Sequence, residues 1–248
     1  MSKNNNRSSG KKARNKNTKE ILDTQESWVE TRDISNSKKF PKLEPKSYVQ
    51  QDYMDAIQNN DIVFAVGSAG VGKSYIATHY AAEQLYYKKV EKIILTRPAV
   101  AACGEDLGFL PGELVAGKLM PYLTPYMETL NKLLGKSFVE YCLKVGSIEP
   151  VPMGFLRGRT FSNCIVLGDE FENATPMQLK LILTRMGESC KMLINGDIAQ
   201  RDVRENVGLE DAIGTLRHLD RVDVVQFREE DCVRSGITKD ILKAYRDR

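Results

Sequence analysis

An apolar run, Ile62-Val63-Phe64-Ala65-Val66, leads directly into Gly67-Ser68-Ala69-Gly70-Val71-Gly72-Lys73-Ser74, and a helical pattern follows. Strand, G-x-x-x-x-G-K-S loop and helix in that order predict the first half of a βαβ unit built around a phosphate loop. The glycines let backbone N–H groups turn inward around phosphates, and the helix N-terminus adds partial positive charge at the same point. A bound nucleoside triphosphate, ATP with Mg²⁺, is the expectation. Its contacts are expected from Gly67, Ser68, Ala69, Gly70, Val71, Gly72, Lys73, Ser74 and Tyr75. Lys73 is placed on the β- and γ-phosphates and Ser74 on the metal.

At 248 residues and 42% hydrophobic content the chain can bury one full α/β core with residues left over at the N-terminus. No apolar stretch approaches the roughly 20 residues a membrane helix needs, and Met1 to Glu20 lacks a signal peptide's apolar core. A cytoplasmic protein without a membrane partner is expected. Five scattered cysteines (Cys103, Cys142, Cys164, Cys190, Cys232), odd in number and without a Cys-x-x-Cys pair, argue against a disulfide framework and a zinc site. They read as reduced thiols, several of them in the core.

The first twenty residues hold seven basic side chains and one acid, which leaves 29 basic against 32 acidic in the remainder. Segment 1–20, nearly free of large apolar residues, is predicted to be a disordered basic tail. It could serve as an arm for nucleic-acid phosphates or simply as a solubilising tail. Residues 21–46, with Pro41, Pro45 and the single tryptophan Trp28, read as a linker, and 47–248 as one ATPase domain.

Within that domain the pattern alternates. A helix from Tyr48 precedes the first strand; helix Gly72 to Tyr87 and the β-branched strand Lys92 to Thr96 follow. Leu119 to Leu134 and Phe138 to Val145 read as helices after the turn-rich Gly104 to Gly112. Strand Cys164 to Leu167, helix Pro176 to Met186, strand Lys191 to Asn195, helix Leu209 to Leu219, strand Val222 to Phe227 and helix Thr238 to Tyr245 complete the series. The fold class is therefore α/β: a P-loop core with a mostly parallel sheet and helices on both faces.

Chemistry is expected at the strand ends, where ligands bind in such sheets. The apolar run Cys164 to Gly168 delivers Asp169 and Glu170, a Walker B pair in which Asp169 holds Mg²⁺ and Glu170 orients and deprotonates the attacking water. Gln200, in Asn195-Gly196-Asp197-Ile198-Ala199-Gln200, can sense the γ-phosphate because an amide both donates and accepts. Arg97, Arg157 and Arg159 are further contacts for phosphate or nucleic acid.

These residues lie in segments that resemble the PhoH-like family of phosphate-starvation-inducible ATPases, bacteriophage versions included. The resemblance runs from Lys46 to Tyr245 through GSAGVGKS, TRPAVAACGEDLGFLPGEL, FLRGRTFSNCIVLGDE, ENATPMQLKLILTRMG, NGDIAQRD and EDCVRSG. It implies a RecA-like core similar to that of superfamily 1 helicases, ATP hydrolysis, and work on RNA or single-stranded DNA. By the same resemblance Gln50 is the adenine-side glutamine and Arg234 an arginine finger. A finger so far along the chain implies a homo-oligomer, with a ring as one form. The family usually reads Asp-Glu-Ala-Gln-Asn where this chain has Asp169-Glu170-Phe171-Glu172-Asn173.

Two other classes compete with a nucleic-acid-dependent ATPase. A small-molecule kinase shares the phosphate loop but needs an acceptor pocket, and Glu170 suits water activation better than transfer. A nucleotide-switched assembly protein would hydrolyse slowly and act through partners. No Asn-Lys-x-Asp guanine signature occurs, which disfavours a GTPase.

Overall fold

Among the described residues six short strands form one parallel sheet, and their common end leads toward the site. The computed structural model describes residues 39–98, 119–200, 207–232 and 236. The expectations for the basic tail, the turn-rich Gly104 to Gly112, helix Thr238 to Tyr245 and Arg234 lie outside the described residues. The elements below fall in one unit, Pro41–Arg248.

Helix α1 (Tyr48–Asn59) starts where the Ser47 hydroxyl accepts the Gln50 N–H at 3.2 Å, and it buries Gln50, Tyr53, Ala56 and Ile57 along one stripe. Strand β1 (Ile62–Val66) and α2 (Lys73–Tyr86) flank the phosphate loop, and β2 (Lys92–Thr96) follows. After the 3₁₀ turn Met120–Leu123 come α3 (Thr124–Leu134), α4 (Lys136–Val145) and β3 (Ile148–Pro150). A second 3₁₀ turn, Met153–Leu156, leads toward β4 (Cys164–Gly168). Helix α5 (Pro176–Leu183) opens with a capping box: Thr175 and Gln178 each satisfy the other's backbone N–H, and Pro176 presets the first turn. Strand β5 (Lys191–Gly196), α6 (Gly208–Leu216) and β6 (Val222–Gln226) complete the described chain.

The strands lie in the order β3-β2-β4-β5-β1-β6, and every neighbouring pair is parallel. Parallel pairing sends β1, β2, β4, β5 and β6 out of the sheet at one common end. Side chains alternate between faces. One set (Phe64, Val66, Ile94, Val166, Met192, Ile194) joins Leu179, Ile182, Leu209 and Ala212 of α5 and α6 in a single core. The other set (Val63, Ala65, Ile93, Leu95, Ile165, Leu167, Leu193) is buried as well, beneath α2, which packs on β2, β4 and β5 and on α3. Helices therefore cover both faces of the parallel sheet that carries the phosphate loop.

Four described cysteines, Cys142, Cys164, Cys190 and Cys232, are buried thiols outside any disulfide. Cys164 starts β4 and Cys190 immediately precedes β5, with their sulfurs 3.9 Å apart. Among the described residues no helix is long and apolar enough to cross a membrane.

Candidate active site

The phosphate loop leaves β1 at Gly67, whose φ of +135° belongs to glycine, and a Cβ there would sit 2.1 Å from the Phe227 carbonyl oxygen. Gly72, at φ +95°, begins α2. Lys73 folds back over the loop: its ammonium donates to the carbonyls of Gly67 and, at 2.8 Å, Ser68. Gln50 braces the loop from outside. Its side-chain oxygen accepts the Lys46 N–H at 2.7 Å, and its amide nitrogen donates to the Val71 carbonyl at 2.8 Å. Both ends of the amide expected to read adenine are thus engaged by backbone. Tyr75, in the first turn of α2, is 40% exposed.

Beside the loop, the Ser74 hydroxyl donates to Asp169 Oδ1 at 3.2 Å. Two hard oxygen donors brought together at the head of a phosphate loop suit Mg²⁺, which keeps much of its shell as water and phosphate. Asp169 is half-buried, and this burial, with the Glu170 charge, raises its pKa to about 6 against the pull of Ser74, Lys73 and Arg97. A cation at this pair would offset that burial.

Glu170 follows at φ +54°, a left-handed conformation that costs a non-glycine residue about 1–2 kcal/mol. Its carboxylate, 43% exposed, pairs through Oε2 with Arg97 Nη2. The chain then turns inward: Phe171, Glu172 and Asn173 are all buried. Glu172 Oε2 accepts the Asp197 N–H at 3.0 Å, which ties the turn after β4 to the turn after β5. In the latter, Asp197 Oδ1 accepts from Ala199 N at 3.1 Å and the Asp197 carbonyl from Gln200 N at 2.8 Å. Gln200 ends this 3₁₀ turn, Ile198–Gln200, in an exposed position.

Sequence reasoning missed a layer of hydroxyl groups beneath the loop. Tyr53 donates to Asn195 Oδ1 at 3.0 Å, Asn195 donates to the Tyr126 hydroxyl at 3.3 Å, and Tyr126 is hydrogen-bonded to Ser74. Tyr53, Tyr126 and Asn195 are fully buried, and burial raises the pKa of both phenols. The available signal was Asn195 itself, a polar side chain in an otherwise apolar strand that must find partners when buried.

Two of the three arginines expected on a polymer have internal partners instead. Arg97 is buried against Glu170, while Arg159 grips Glu149 with both guanidinium nitrogens at 2.8 and 2.9 Å and lies 5.5 Å from the Phe161 ring centre. Arg157 is exposed, two residues from Phe155, itself 55% exposed.

The family description "PhoH-like protein" matches residues 42–246. The chain belongs to the PhoH-like family. Protein PhoH of Escherichia coli (strain K12) is 44% identical over 204 residues, 81% of this chain and 57% of that protein. A PhoH-like protein of Bacillus subtilis (strain 168) is 40% identical over 215 residues, 86% and 67% of the two chains. The chain therefore spans little more than half the length of the Escherichia coli protein. Among solved structures, the helicase domain of Pyrococcus furiosus Hef matches with a TM-score of 0.43 at 11% identity, covering 73% of this chain and 38% of that one.

Glu172, where the family resemblance leads one to expect glutamine, has a consequence for stability. Burial, with Glu170 and Asp169 nearby, raises its pKa from the usual 4.5 to about 7 although Asp197 donates to it. The folded protein holds a proton that the unfolded chain releases. Stability from this group is present below about pH 4.5 and is lost as pH rises through about 7. Glu172→Gln keeps an acceptor for Asp197 N–H and removes the titration. The variant is expected to be more stable than the parent at pH 8 by on the order of 1–3 kcal/mol, with little difference at pH 5. Urea midpoints of the nucleotide-free proteins at the two pH values check this. Equal differences at both would remove Glu172 as the source.

Proposed function

We propose that the protein hydrolyses ATP in the presence of Mg²⁺ and does so in response to single-stranded RNA or DNA, as a homo-oligomer in the cytoplasm. The observation that carries the hydrolytic part is the placement of Glu170 next to the Ser74–Asp169 pair. Lys73 and the loop N–H groups hold the triphosphate, Ser74 and Asp169 hold the metal, and Glu170 accepts the proton of the attacking water. Mg²⁺ supplies charge neutralisation on the phosphate oxygens. Gln200 reports the γ-phosphate, and Gln50 acts on the base side while bracing the loop. Arg234, as a finger from the same or a neighbouring subunit, stabilises charge in the transition state.

Support for a polymer comes from the basic segment 1–20 and from the carboxyl edge of the sheet. There the chain leaving β3 presents exposed Phe155 and Arg157, a base-stacking face and a phosphate partner close together. The PhoH-like family membership agrees with this reading. Steady-state ATP hydrolysis with and without single-stranded RNA and DNA tests it. At least severalfold stimulation by one of the polymers, weakened by salt as phosphate contacts require, is expected. Hydrolysis indifferent to both polymers would shift the reading to a nucleotide-switched assembly protein.

A further inference from the structure

We propose that Arg97 is the positioning residue for Glu170, held in place by the Tyr122 turn; this rests on the hydrolytic reading above. Strand register brings the two together. Thr96, the last residue of β2, pairs with Gly168 of β4, and the Thr96 carbonyl accepts the Asp169 N–H at 3.2 Å. Arg97 and Glu170 therefore leave adjacent strands at the same end of the sheet. The Arg97 side chain is 9% exposed against 43% for Glu170, so the arginine is the fixed member of the pair.

Its fixation is visible on two further sides. Arg97 Nη1 donates to the Tyr122 carbonyl at 3.2 Å, and the guanidinium carbon lies 4.8 Å from the Tyr122 ring centre. Nη2 then meets one carboxylate oxygen of Glu170, Oε2. Oε1 is left to accept a proton. A glutamate at the tip of a strand, partly solvated and in a left-handed backbone conformation, would otherwise sample several rotamers. Burying a guanidinium for one half-exposed partner is a poor stability device, since desolvation offsets the attraction. Holding a base at a fixed place is what this arrangement does well.

The test compares Arg97→Ala, Arg97→Lys, Tyr122→Leu, Glu170→Gln and the Arg97→Ala/Glu170→Gln double variant. Binding of a fluorescent ATP analogue and kcat are measured for each. Arg97→Ala is expected to lower kcat by about 10- to 100-fold, the scale of a misplaced catalytic group, with analogue affinity within about threefold of the parent. Lysine should restore part of kcat. Tyr122→Leu, which leaves the charge in place and removes the ring beneath it, should lower kcat less and in the same direction. The double variant should be no slower than Glu170→Gln alone, because both changes act through one carboxylate.

Unchanged kcat in Arg97→Ala beside an inactive Glu170→Gln would overturn the Arg97 role and leave the hydrolytic reading standing. Full hydrolysis by Glu170→Gln would overturn that reading itself. Should Arg97→Ala fail to fold, Arg97→Lys and Tyr122→Leu decide: parental kcat in both removes the proposal.

Discussion

Glu170→Gln is expected to bind ATP with near-parental affinity and to turn it over at least about 100-fold more slowly, the contribution typical of a positioned general base. The amide occupies the carboxylate's volume and can still accept from Arg97 through its oxygen. It cannot take the water's proton. Because Lys73, Ser74 and Asp169 are untouched, affinity is preserved and the loss falls on kcat. Binding of an ATP analogue alongside phosphate release separates the two effects. Loss of affinity matching the loss of rate would mean that Glu170 shapes the nucleotide pocket instead of activating water.

Phe171→Ala is expected to destabilise the protein by about 3–5 kcal/mol, the range for deleting a fully buried aromatic ring. The position is where the family pattern has alanine, so the substitution looks conservative in sequence. In this chain it is not. Phe171 is fully buried and belongs to the core shared with Ile194, Leu179 and Leu209. It uses the space left by Gly168: a Cβ there would meet its ring at 2.6 Å. Removing the ring would leave a cavity directly under the Asp169–Glu170 turn, so activity should fall at temperatures where the parent is still fully folded. Urea unfolding monitored by circular dichroism checks the first effect. A change below about 1 kcal/mol would show that the turn collapses to refill the space.

Strands β1, β2, β4 and β5 were legible because each is an apolar, β-branched run bounded by turn residues and buried on both faces. Strand β3 was missed. Three residues ending in Pro150 make too short a signal, and proline is tolerated there because the strand lies at the sheet edge. Helix ends shifted for local reasons. Leu119 to Leu123, read as the start of one helix, contains Pro121 and enters α3 through the 3₁₀ turn Met120–Leu123. Helix α5 stops at Leu183 rather than Met186 because the following turn is taken up by Phe161, which bonds to the Arg185 carbonyl and bridges to Met186.

The parts of the site carried by contiguous motifs, Gly67 to Ser74 and Asp169-Glu170, could be read directly, since the chemistry requires those residue types in a row. What could not be read depends on partners far apart in the chain. Tyr53 finds Asn195 across 142 positions, and Arg97 finds Glu170 across 73. No spacing rule records such pairs. They follow from strand order, which places β2 beside β4 and brings α1 and α3 to the phosphate loop.

On the proposed function, water and no other acceptor attacks the γ-phosphate. ATP turnover in isotopically labelled water, with Mg²⁺ and a single-stranded polymer present, distinguishes water from any other acceptor. Each released phosphate is expected to carry one oxygen from the solvent, and Glu170→Gln to suppress the labelled product. Consumption of ATP only when a small acceptor is added, with unlabelled phosphate transferred to it, would make the protein a kinase and overturn hydrolysis by Glu170.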